Sequence, residues 1–81
     1  MNDSKIIYEI ILDLWRFMHK HCDELEQQHN LNWDLIAKEY TELTEDKSTD
    51  NELVNDFRNK IFANGYNYLR YKEMNNNDKV E

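Results

Sequence analysis

Eighty-one residues with no proline, one glycine and 40% hydrophobic content make at most one small domain, and helix formers run through the whole of it. Seventeen acidic against ten basic residues give a formal net charge of −7, which excludes nucleic-acid binding through a broad basic patch. One cysteine excludes an intramolecular disulfide and fits a reducing compartment.

In chain order, Asn2, Asp3 and Ser4 are capping candidates for a first helix reaching about Gln28. Ile7, Ile11, Leu14, Met18, Cys22 and Leu25 recur at steps of four, three, four, four and three, a stripe along one helical face. Ile6, Ile10 and Phe17 widen the stripe on one side and Trp15 on the other. Glu9, Asp13 and Arg16 interrupt the apolar run, so it reads as neither a membrane span nor a signal peptide. The expectation is a cytoplasmic protein.

Asn32 is placed to cap a second helix, Trp33 to Leu43, with Leu31 as a hydrophobic staple. Trp33, Ile36, Ala37 and Tyr40 form its apolar side. Residues 44–49 read as a loop. Thr49 and Glu52 match a capping box before a third helix carrying Leu53, Val54, Phe57, Ile61, Tyr68 and Leu69. Gly65 either ends that helix or lets another helix approach closely. The apolar phase continues across it, which favours continuation to about Met74, and a disordered polar tail is expected at 75–81.

The fold expected is therefore all-α: a small three-helix antiparallel bundle with long first and third helices. Its core would be Ile7, Ile11, Leu14, Met18, Trp33, Ile36, Tyr40, Val54, Phe57, Ile61 and Leu69, with Trp15 within reach. Both long helices outrun the second, leaving surface for a partner or a dimer seam.

Charge is unevenly spread. Eleven acids and two bases lie between Cys22 and Asp56, a balance of −9, against six acids and eight bases elsewhere, +2. Asp23, Glu24, Glu26, Asp34, Glu39, Glu42, Glu45 and Asp46 are the candidate partner-binding residues. Carboxylates held on a rigid bundle imitate the spacing of phosphates and suit a basic protein surface. The competing reading is a solvated face that keeps a small protein soluble.

His19, His21, Cys22, Asp23 and His29 suggest metal ligands, but His21 points about 200° from His19 on an ideal helix, so the set does not converge. No metal or cofactor is expected. Carboxylate pairs come with no glycine-rich loop and no nucleophile beside a base, so no enzyme is expected either. Tyr66, Arg70 and Tyr71 form a basic and aromatic neighbourhood that would serve as a secondary interaction surface. The preferred reading there is Tyr68 packed inward, with the bases at the negative end of the helix dipole.

Leu14-Trp15-Arg16-Phe17-Met18, the isolated Trp33 and the ending Tyr68-Leu69-Arg70-Tyr71-Lys72-Glu73 together resemble, in layout, small acidic helical proteins of phages and mobile elements of low-GC bacteria. That group includes anti-CRISPR proteins. The resemblance implies a non-enzymatic inhibitor of a host nucleic-acid-handling protein such as a Cas effector, with no direct nucleic-acid or membrane binding. The alternative is a homodimeric structural or assembly protein.

Overall fold

A computed structural model of the chain describes the backbone of residues 3–80 and the side chains of residues 3–75. Among these, three helices and no strands are present: α1 (Asp3–Gln28), α2 (Trp33–Leu43) and α3 (Glu52–Val80). The molecule measures 51 × 19 × 15 Å. α1 and α3 run in the same direction. Ile10 and Arg58 line one cleft, the Phe17 and Phe62 rings lie 5.7 Å apart, and Cys22 feels the charge of Lys72. α2 returns antiparallel to both, with Trp33 beside Tyr66, Tyr40 beside Phe62 and Lys47, just past its end, bonded to Asp13.

The helix ends follow local chemistry. Asn32 Oδ1 accepts from Leu35 N at 3.1 Å, the N-cap the sequence suggests. α1 closes on His29, whose φ of 63° is left-handed and whose N–H donates to Leu25 O at 2.8 Å. The buried Thr44 ends α2, its hydroxyl donating to Tyr40 O at 2.7 Å.

The capping box is corrected. Asn51, not Thr49, caps α3: its Oδ1 accepts from Leu53 N at 3.1 Å and Val54 N at 3.2 Å. Thr49 Oγ1 instead accepts from Asn51 N at 3.1 Å, and the Asn55 amide clasps the Thr49 backbone. An Asx cap directly before the first helical residue reaches two N–H groups at once, which Thr49 is too far back to do.

Gly65 sits within an unbroken α3 and is buried. A Cβ there would lie 2.9 Å from Met18 Sδ and 3.1 Å from Leu14 Cδ1. The missing side chain is what brings α1 and α3 together, as the continuing apolar phase suggests. The backbone of α3 runs on to Val80, past Met74. Residues 75–80, expected as a disordered tail, are therefore helical in their backbone; the side chains of residues 76–80 and all of Met1, Asn2 and Glu81 lie outside the described residues.

The core is Ile10, Phe17, Leu25, Leu31, Ile36, Val54, Phe62 and Leu69. Of the core expected from the sequence, Ile36, Val54 and Leu69 are buried, while Leu14, Met18, Trp33, Tyr40, Phe57 and Ile61 pack against it partly covered. Ile7 is half-buried. Ile11, at 50% exposure, and Trp15, at 59%, are corrections: they face outward. α1 is apolar around so much of its girth that its spacing leaves the centre of burial open. α2 settles it by covering the Ile10 and Phe17 flank. Tyr68, expected inward, is 51% exposed, and Phe62 takes the buried place instead.

Candidate functional site

Two of the eight candidate carboxylates turn inward. His21 is fully buried on α1, edge-on to Phe17. Its Nδ1 lies 2.9 Å from Glu24 Oε1 and its Nε2 2.6 Å from Glu39 Oε1. A carboxylate accepts but does not donate, so both contacts are hydrogen bonds when the ring carries two protons. Glu39 also accepts from Lys20. Burial pushes the Glu39 carboxyl up, but hydrogen bonds from Lys20 and His21 outweigh it and hold the group below the usual carboxylate range. This cluster joins α2 to α1, so Glu24 and Glu39 act within the fold.

The other six are exposed but do not share one surface. Asp34, Glu42, Glu45 and Asp46 are exposed on α2 and the turn after it, and Glu42 also lines the groove between α1 and α2 with Arg16 and Lys20. None of the four forms an ion pair among the described residues. Asp23 and Glu26 lie about 100° and 160° around α1 from Glu24, which faces α2, so they project elsewhere. Asp23 approaches His19 Nε2 at 3.5 Å on the surface.

The secondary group divides too. Tyr66 is half-buried between Trp33 and Tyr40, at ring distances of 5.2 and 5.5 Å, so it belongs to the core edge. Arg70 and Tyr71 are exposed and, with Asn67 and Met74, line a shallow hollow of about 360 Å³.

Sequence reasoning missed three groups. Glu73 accepts from Leu31 N at 2.8 Å and Trp33 Nε1 at 3.0 Å, tying α3 to the start of α2. Arg58 is buried, with a 3.4 Å bond to Asn55 Oδ1. The cleft it shares with Arg16 and Lys47 is also lined by Glu9 and Asp13, the latter paired with Lys47. His21 enters the sequence reading only as a metal-ligand candidate that does not converge with His19; its i, i+3 spacing to Glu24 was the signal available. Burial also acts on Cys22 and Tyr40. It pushes the Cys22 thiol up, against Lys72 and with Glu26 and Asp23. It pushes the Tyr40 hydroxyl up with Tyr66 and Glu45.

Among the described residues, no three or more His, Cys, Asp or Glu side chains are grouped so as to hold a metal ion. No helix among them is long and apolar enough to cross a membrane. Compared with known proteins, the chain matches no family model, no curated protein and no solved structure.

Proposed function

We propose that the chain is a non-enzymatic acidic binding protein of phage or mobile-element origin that inhibits a nucleic-acid-handling host protein, most specifically a Cas effector. Its carboxylates would occupy the basic surface that otherwise holds DNA or RNA. The observation that carries this reading is α2 and the turn after it, where Asp34, Glu42, Glu45 and Asp46 are exposed and form no ion pair among the described residues. Carboxylates already paired must first be released, whereas these four are available to meet cationic side chains directly. The rest of the fold supports their display: the Lys20–Glu39–His21 cluster and the Trp33–Glu73 hydrogen bond fix α2 on the two long helices. The functional set is thus narrower than the eight residues the sequence suggests.

A binding titration against a candidate effector tests the reading. Charge reversal at Glu42, Glu45 and Asp46 weakens binding, as added salt does, because attraction between exposed charges is screened within a Debye length of about 8–10 Å. Affinity indifferent to both changes rules the reading out.

A further inference from the structure

We propose that the side of the α1/α3 pair facing away from α2 is a seam that takes a second copy of this chain. On α1, Leu14 and Met18 mark the line of contact with Gly65. At about 100° per residue, Phe17 lies about 80° to one side of that line and Trp15 about 80° to the other. α2 covers the Phe17 side only. On the open side Tyr8, Ile11 and Trp15 of α1 and Tyr68 of α3 are 64, 50, 59 and 51% exposed. Phe57 and Ile61, half-buried and within about 40° of Tyr68 around α3, continue the same surface.

Area argues for a partner there. Three aromatic side chains of about 150–250 Å² each, more than half open, with Ile11 expose on the order of 400–500 Å². The half-buried neighbours bring the face towards the ~800 Å² that each partner gives to a standard interface.

Charge argues that the partner is another copy. The chain carries −7, so two copies repel wherever their carboxylates meet. From Phe57 to Lys72, α3 contains no acidic residue at all. On α1, the two acids between Tyr8 and Cys22 turn away from the seam: Asp13 reaches Lys47, and Glu9 lines the cleft with Arg58. Between Tyr8 and Cys22 on α1 and between Phe57 and Lys72 on α3 the apolar face therefore carries no carboxylate, Asp23 standing at its edge against His19, which stacks on Trp15, so two acidic chains approach there with little like-charge repulsion. A two-fold axis across it lays one α1/α3 pair against the other as a four-helix layer. One α2 then sits on each outer side, so the two acidic faces point apart. This inference does not depend on the proposed inhibitory role.

Sedimentation velocity over a wide concentration series tests it. The chain should run at twice its 10.0 kDa mass. Trp15→Glu, and separately Tyr68→Asp on the other helix, should halve that mass with the helical circular dichroism unchanged. Tyr8→Lys, farthest from the core, decides the matter should either variant unfold. Glu42→Lys, on the opposite side, should leave the dimer intact. A 10.0 kDa species at every concentration overturns the proposal, as does a dimer that survives these seam substitutions in the folded chain, or one that Glu42→Lys dissolves.

Discussion

Trp33 Nε1 donates to Glu73 Oε1 at 3.0 Å, and the other oxygen of the same carboxylate accepts from the backbone N–H of Leu31 at 2.8 Å. One side chain on α3 thus satisfies two donors where α1 hands the chain to α2, although forty residues separate Trp33 from Glu73. Hydrogen bonds to a charged group contribute about 1.5–3 kcal/mol each when their loss leaves a buried donor unpaired. Glu73→Ala, which removes both part-buried bonds, should therefore lower the free energy of unfolding by about 3 kcal/mol, the low end of the sum, in urea titrations. Glu73→Gln, which keeps one acceptor, should cost about half as much.

The Glu39 cluster predicts a pH dependence. The folded-state pKa of Glu39 is lowered, so its contribution to stability is fully present above the unfolded glutamate pKa. It is lost as pH falls through the lower folded value. Thermal melts of the native chain and Glu39→Gln should therefore converge on acidification below the ordinary glutamate range. At neutral pH the variant should melt earlier, by about 1–2 kcal/mol of stability, because His21 and Lys20 lose a charged acceptor. A gap between the two curves that stays constant with pH would exclude this role for the carboxylate.

His29 holds a left-handed backbone that costs a non-glycine residue about 1–2 kcal/mol. It is exposed, and its side chain makes no hydrogen bond or ion pair among the described residues. His29→Gly should raise stability by up to about 1 kcal/mol, the relief of strain exceeding the extra entropy of the unfolded glycine. Chemical denaturation reads this directly.

Gly65 separates two effects. Its replacement by Ala gains about 1 kcal/mol of helix propensity but drives a Cβ to within 2.9 Å of Met18 Sδ. Met18 is flexible and half-buried, so it can yield, and Gly65→Ala should change stability by less than about 1 kcal/mol. Gly65→Leu leaves no such escape and should cost about 3 kcal/mol or more, with α1 and α3 forced apart.

These positions show what the sequence carries and what it does not. Helix existence and connection lengths follow from periodicity and from Asn32, whose capping role needs only its neighbours. Gly65 was legible because the apolar phase runs through it. The phase of α1 was not: with Ile6, Ile7, Ile10, Ile11, Leu14, Trp15, Phe17 and Met18 all present, burial is decided by which flank α2 covers. His21, Arg58 and Glu73 were illegible for a related reason. A polar side chain reads as surface until the structure brings its partner from another helix, as Glu39 comes to His21 and Trp33 to Glu73. Glu24 and Glu39 were assigned to the partner surface on composition alone, which counts carboxylates without knowing which are already engaged.

The central claim is that α2 and the turn after it meet a basic nucleic-acid-binding surface. The most direct measurement is displacement of a labelled DNA duplex from a guide-loaded Cas effector, followed by fluorescence anisotropy as the chain is added. The account predicts displacement by the native chain. It predicts displacement weakened about tenfold or more by Glu42→Lys, Glu45→Lys and Asp46→Lys together, and further weakened by salt. Displacement equally strong with the charge-reversed chain, or none with the native chain, contradicts it.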